Sequence, residues 1–259
     1  MGHIRLGRLP KTKSWSCIFD ALADYGISGG QLADTAALAA QRQFIRLQDD
    51  KGINLCFWIL VRVAAAARSQ DFLRAIEQLG IEGSAASTGL RFVQQVSRIV
   101  GEGLQKRGEP SVFARMAELS LREVLSRCIA DQSRSLFGSG LAEVQAACRA
   151  MSTRKEFALV ARQFFASFFS RSLRYITDKE ASNFVGTDKP IGSPEHLKRL
   201  YDDIDRYCVE SSRILEEFAG GWFSKHSWET NNDIPEDAAA GFTAYALEKI
   251  RMELQEAQK

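Results

Sequence analysis

Apolar residues recur along this chain with the period of an α-helix, and no stretch shows the strict alternation of a half-buried strand. Only five prolines interrupt the pattern, and glycine-rich or polar turns separate the helical segments. The pattern predicts an all-α protein, a single irregular bundle of about nine or ten helices. The predicted segments cover residues 14–25, 28–48, 53–67, 69–79, 90–106, 111–136, 140–151, 153–179, 193–219 and 236–258.

Two segments are predicted to form the hydrophobic centre. The first is the apolar run at 53–67, which carries Arg62 and falls short of the roughly 20 residues that a bilayer span needs, so a buried helix is favoured. The second is the helix at 153–179, which opens with a capping box and carries a stripe of aromatic residues. The stripe consists of Phe157, Phe164, Phe165, Phe168 and Phe169. A core position is the favoured interpretation of these side chains, and a ligand groove is the alternative.

The domain organisation follows from where the pattern is missing. Residues 1–13 lack a helical period and are predicted to form an N-terminal extended, basic arm. Residues 14–259 are predicted to form one all-helical domain. A possible internal boundary lies in the longer loop at 180–192, where the charge balance changes sign.

The charge distribution is uneven although the net charge is only +2. Residues 1–175 carry 24 Lys and Arg against 15 Asp and Glu, whereas residues 176–259 carry 10 against 17. The split indicates either an anionic partner for the first part or complementarity between the two parts. Arg162 and Arg171 lie on opposite sides of their predicted helix, so the sequence favours a solvated face over one aligned anion-binding stripe.

Familiar catalytic and metal motifs are missing from the sequence. The five cysteines are widely spaced without a Cys-x-x-Cys pair, and the three histidines form no metal-binding spacing. We therefore expect reduced thiols, a cytoplasmic location, and neither a metal nor a cofactor. We also expect no membrane partner, since no apolar run is long enough to cross a bilayer.

The segment after the helix at 193–219 is the most unusual part of the chain. Gly220-Gly221 is predicted to end that helix, and a long ordered loop is predicted at 220–234. The candidate partner-binding residues in this loop are Trp222, Phe223, Lys225, His226 and Trp228. His226 is also a weak candidate for an acid or base beside Glu216 or Glu217. The favoured interpretation of the tryptophans is that they fold back, cover the core and hold the last helix in place, with a partner interface and catalysis as the alternatives.

The N-terminal arm is the candidate nucleic-acid contact. Its cations are Arg5, Arg8, Lys11 and Lys13. They precede the first acidic residue and could contact phosphates. Interleaved apolar residues favour docking on a protein instead, and an ordinary solvated terminus is the third interpretation.

Three functions remain open on the sequence. The favoured one is a non-catalytic subunit or adaptor of a cytoplasmic multi-protein assembly, which binds another protein subunit. By analogy, such helical subunits belong to prokaryotic multi-gene systems such as antiviral phage defence. The first alternative is a nucleic-acid-binding helical protein that uses the basic residues of 1–175. The second is an enzyme with His226 as acid or base.

Overall fold

The computed structural model describes residues 47–83, 88–108, 110–130, 140–184 and 194–256. These residues form α-helices and no strand, which confirms the all-α prediction. The helices are α1 Lys51–Ala66, α2 Phe72–Glu77, α3 Gly89–Lys106, α4 Val112–Leu125, α5 Leu141–Met151, α6 Arg154–Phe184, α7 Pro194–Ser211, α8 Leu215–Glu229 and α9 Glu236–Glu256. A π-helical turn, Ser126–Ala130, continues α4, and a 3-10 turn, Ser212–Ile214, joins α7 to α8. The predicted arm, the helix predicted at 14–25 and all but the last two residues of the helix predicted at 28–48 lie outside these ranges.

Helix α1 is the buried centre that the apolar run predicts. Asp50 caps its start, since Oδ1 accepts hydrogen bonds from the backbone amides of Gly52 at 2.8 Å and Ile53 at 3.0 Å. The helix packs against α3, α4, α5 and α9, so nearly every side of it is covered. The ring of Phe57 lies within 6.2 Å of aromatic rings on α6, α8 and α9.

Helix α6 supplies the second half of the same core. Thr153 caps it, because its hydroxyl accepts a hydrogen bond from the Glu156 amide at 3.2 Å. The phenylalanine stripe is buried along its whole length, which confirms a core position for Phe157, Phe164, Phe165, Phe168 and Phe169. One contiguous cluster of buried residues runs from Leu47 to Ile250.

Basic residues of the first part of the chain form ion pairs with acidic residues of the second part. Among the described residues, four ion pairs join cations of residues 1–175 to acids of residues 176–259. They are Arg62–Asp233, Arg107–Glu236, Arg162–Glu216 and Arg174–Asp205. Complementarity between the two parts therefore accounts for a share of the split, because acidic helices near the C-terminus pack on basic ones that precede them.

The prediction that Gly220-Gly221 ends a helix is wrong. Both glycines lie inside α8, and the helix predicted at 193–219 is instead divided earlier, by the 3-10 turn at Ser212–Ile214. A Cβ atom on Gly220 would collide with the backbone carbonyl of Arg154, so glycine allows α8 to approach the start of α6. The loop predicted at 220–234 is correspondingly helical as far as Glu229.

Candidate functional site

The predicted partner-binding residues lie on α8 and face different directions. Phe223 is completely buried and stacks on Phe157 with ring centroids 3.9 Å apart. The Arg68 guanidinium covers the Phe223 ring at 4.7 Å from its centroid. Phe223 is therefore part of the core, and its assignment as a surface contact is corrected because α8 turns this side chain toward α6.

Trp222 and His226 form a packed pair one helical turn apart. Trp222 is half-buried, and its ring lies 4.6 Å from that of Phe242 and 6.2 Å from that of Phe57. The His226 ring lies 4.6 Å from the Trp222 ring, and its Nδ1 is 2.9 Å from the Trp222 carbonyl oxygen. This placement fits the interpretation that Trp222 covers the core, with His226 packed over it.

The structure does not bring His226 together with Glu216 or Glu217. Ten and nine residues separate them on one continuous helix, which corresponds to roughly 14–15 Å along the axis. The Glu216 carboxylate is instead paired with Arg162, and Glu217 is exposed. The acid–base set considered for this segment is therefore not assembled.

Trp228 is the aromatic residue among the predicted contacts on α8 whose side chain lies in solvent. Its side chain is 84% exposed, the largest exposed fraction among the big apolar residues that the structure describes. Lys225 lies one turn earlier and is also exposed, with its Nζ 3.8 Å from a carboxylate oxygen of Glu229. The last two turns of α8 therefore present an indole flanked by one positive and one negative charge.

A rigid turn follows this exposed end. Asn231 and Asn232 have left-handed backbones with φ of 51° and 67°, and the Asn232 amide donates to the Ser227 carbonyl at 2.7 Å. The true end of the helix is thus marked by Asn-Asn rather than Gly-Gly. Asparagine is tolerated in this conformation, so the pair was a readable stop signal that sequence reasoning missed.

The cations of the N-terminal arm cannot be placed in this way. Arg5, Arg8, Lys11 and Lys13 all lie outside the described residues. Their assignment as a nucleic-acid contact stays a prediction.

A second candidate site lies on α6, on the face of the helix that points away from its phenylalanine stripe. A cleft of about 630 Å³ runs along this helix between α7 and the C-terminal end of α4. Four arginine side chains line it, together with two serines and Gln163. The arginines are Arg127, Arg162, Arg171 and Arg174, and the serines are Ser167 and Ser170.

On the α4 side of the cleft, one carboxylate, that of Glu123, binds three of the polar side chains that line it. Glu123 accepts hydrogen bonds from Arg127 at 2.5 Å, Arg171 at 2.9 Å and the Ser167 hydroxyl at 2.7 Å. Desolvation raises the pKa of Glu123, but the bonds from Ser167 and Arg171 and the two positive charges outweigh it, so the pKa lies below its ordinary value. The carboxylate is therefore ionised at neutral pH.

The α7 wall repeats the same arrangement. Asp205 accepts hydrogen bonds from the Ser170 hydroxyl and the Arg174 guanidinium. Ser167 with Arg171 and Ser170 with Arg174 are both pairs at i and i+4, so each presents a hydroxyl and a guanidinium on one face of α6. Two such pairs three residues apart hold one carboxylate from each neighbouring helix.

Arg162 lines the cleft toward the N-terminal end of α6. Its guanidinium pairs with Glu216 and donates to the Val209 carbonyl at 3.1 and 3.3 Å. Arg162 and Arg171 do lie on opposite sides of α6, but the cleft runs between them, so the two flank it. The expectation of a merely solvated face is therefore corrected, because α4 and α7 turn that face into a walled groove.

The described thiols are not activated. Burial raises the pKa of Cys56, Cys148 and Cys208 far above the ordinary range, and burial with the nearby charge of Glu156 raises the pKa of Cys128 to about 11. A thiol with a raised pKa is a poor nucleophile. In the part of the chain that the structure describes, no three His, Cys, Asp or Glu side chains are grouped to hold a metal ion.

Comparison of the chain with protein-family models, curated proteins and solved structures gives no match. None of the described helices has the length and apolar character to cross a membrane. The function of this chain therefore has to be inferred from the geometry of α8 and of the arginine-lined cleft.

Proposed function

We propose that this chain is a non-catalytic helical subunit of a multi-protein assembly, and that it binds a protein partner through the last two turns of α8. The observation that supports this most is the 84% exposure of Trp228. Tryptophan is enriched among the residues that carry most of the binding energy at protein interfaces. An indole held in water on an ordered helix is a suitable anchor for a partner.

The neighbouring structure supports an anchor of this kind. Phe223 in the core and the Asn231–Asn232 turn fix the backbone of α8 on both sides of Trp228, so little backbone order has to be gained on binding. Lys225 and Glu229 add one charge of each sign beside the indole. We expect such charges to orient a partner more than to add affinity.

The test is a pull-down of the tagged full chain from its native cell, with and without nuclease. Three forms are compared: the wild type, Trp228→Ala, and Leu90→Ala. Leu90 is 60% exposed on α3 and provides a matched loss of an exposed apolar side chain elsewhere. The proposal expects a defined protein, retained after nuclease, that Trp228→Ala loses and Leu90→Ala keeps.

The other outcomes contradict the proposal. Equal retention by Trp228→Ala and the wild type would show that this end of α8 is not the interface. Retention that disappears with nuclease would favour the nucleic-acid alternative and the cations of the N-terminal arm. A chain that is recovered alone in every condition would remove the subunit assignment.

A further inference from the structure

We infer that the arginine-lined cleft on α6 binds a small ligand that carries two or more phosphate groups. The inference concerns a different face of the molecule from Trp228 and does not rest on the proposed function. It is drawn from the charge balance of the cleft, one unsatisfied donor, and the size and chemistry of its walls.

The charge balance of the cleft is positive. Arg127, Arg162, Arg171 and Arg174 are answered by three carboxylates, because Arg127 and Arg171 share Glu123. One guanidinium charge is therefore left over within a single groove. Partial enclosure by α4 and α7 strengthens the attraction of an anion compared with an open surface.

Arg174 supplies an independent sign of an absent acceptor. Its terminal nitrogen bonds to Asp205, and the guanidinium lies 5.2 Å from the Tyr201 ring centroid. Its Nε, however, is buried and has no hydrogen-bond partner within the described part of the chain. A buried N–H without an acceptor is destabilising, and we infer that Arg174 turns toward a bound ligand, so that this N–H becomes accessible and donates to a ligand oxygen.

The dimensions fit a small ligand. A volume of about 630 Å³ is in the range of roughly 300–1,000 Å³ that small-molecule sites occupy. The Ser167 and Ser170 hydroxyls and the exposed Gln163 amide add neutral hydrogen-bonding groups. Leu159, Ala166 and Val209 supply an apolar lining for the part of the ligand that carries no charge.

Competition inside the cleft selects phosphate over carboxylate. Glu123 and Asp205 already pair with three of the four arginines, so an entering anion has to displace them from their guanidiniums or share those guanidiniums with them. A phosphate monoester carries about −1.5 to −2 at neutral pH and three acceptor oxygens, whereas each resident carboxylate carries a single negative charge. The planar fork of arginine also matches phosphate oxygens in a bidentate way.

The test uses isothermal titration calorimetry on the full chain with inorganic tripolyphosphate as the probe. Citrate serves as the polycarboxylate, and a short single-stranded oligothymidylate serves as the polymeric source of phosphate. We expect one tripolyphosphate per chain, at least about tenfold weaker binding of citrate, and affinity that falls as salt is added. We expect the oligothymidylate to bind more weakly than tripolyphosphate, since a cleft of about 630 Å³ has the volume of a small-molecule site rather than of a groove for a polymer.

Two variants locate the binding without removing a resident ion pair. Gln163→Glu adds a negative charge to the cleft, and Gln105→Glu makes the same change at an exposed position on α3, outside it. We expect Gln163→Glu to weaken tripolyphosphate binding at least about tenfold and Gln105→Glu to leave it within about twofold. Arg174→Lys keeps the charge but deletes Nε and the fork, and we expect it to weaken binding as well. Far-UV circular dichroism checks that each variant is folded.

Three results would overturn the inference. The first is the absence of tripolyphosphate binding at millimolar concentration. The second is an equal effect of Gln163→Glu and Gln105→Glu, which would place binding outside the cleft. The third is citrate or oligothymidylate binding as tightly as tripolyphosphate, since either would show that the cleft does not select small phosphorylated ligands.

Discussion

Helices α6 and α8 are the two aromatic-rich helices of this molecule, and they use their aromatic residues in opposite ways. The five phenylalanines of the stripe on α6 are all buried in the core. On α8, Phe223 is completely buried, Trp222 is half-buried, and Trp228 is 84% exposed. Aromatic residues therefore identify a core helix only when their spacing places them on one face of the helix, as it does on α6.

The two helices meet at the stacked pair of Phe157 and Phe223, and removing either ring is the most damaging change we predict. Phe157→Ala and Phe223→Ala should each lower the free energy of unfolding by about 3–5 kcal/mol, because each leaves a cavity in the shared core. The double variant should lose less than the sum, with a coupling of about 0.5–1.5 kcal/mol. Urea denaturation of the four proteins measures the cycle, and strictly additive losses would show that the rings do not interact.

Gly220 and Gly221 lie where α8 crosses the start of α6, and they differ in how closely they approach Arg154. A Cβ on Gly220 meets the Arg154 backbone, whereas a Cβ on Gly221 has Arg154 Nη2 as its nearest neighbour, at 3.7 Å. Gly220→Ala should therefore destabilise by about 1–3 kcal/mol. Gly221→Ala should be neutral or stabilise by up to about 1 kcal/mol, since alanine is the better helix former. Thermal unfolding compares them, and equal effects would contradict the close approach of α8 to α6.

Glu123 tests the polar side of α6. Its pKa is lowered in the folded state, so its contribution to stability is present above the ordinary carboxyl range and is lost as pH falls through the folded-state pKa. Glu123→Gln should lower stability by about 1 kcal/mol at pH 7. The gap between variant and wild type should narrow toward pH 3. Melting temperatures across this pH range give the answer, and a gap that does not change with pH would contradict an ionised clamp.

Trp228 gives the smallest effect on stability. Trp228→Ala should change the free energy of unfolding by less than about 0.5 kcal/mol, because the indole lies in water. The result would contrast with Phe223→Ala, five residues away on the same helix. Chemical denaturation checks it, and a large loss would mean that the indole is covered in solution, which would also remove the basis for the proposed interface.

The sequence was sufficient where local signals and burial agreed. The apolar run predicted α1, and a cap at Thr153 with five in-phase phenylalanines predicted α6. Gly220-Gly221 misled because a helix stop and a close helix crossing both favour glycine. The deciding neighbour, Arg154, is distant in sequence, so local pattern could not identify it.

The cleft could not be predicted from the sequence for the same reason. Arg162 and Arg171 look unrelated on a helical wheel, and they become one site only when α4 and α7 stand on either side of α6. Trp228 was named from sequence, but its separation from the buried Phe223 depends on α8 being a helix. In the loop that the sequence predicted, nothing would have placed these two side chains on different sides.

The position of α1 also determines when the chain can fold during synthesis. Helix α1 is the first helix described, yet its Phe57 ring stacks 4.9 Å from Phe242 on α9, and its Trp58 indole donates to the Ile234 carbonyl at 2.9 Å. Helix α1 is therefore synthesised early, but this side of it becomes covered only after α9 has also been synthesised. Until then the apolar surface of α1 that α9 covers is exposed, which is the condition that favours aggregation of partly folded chains.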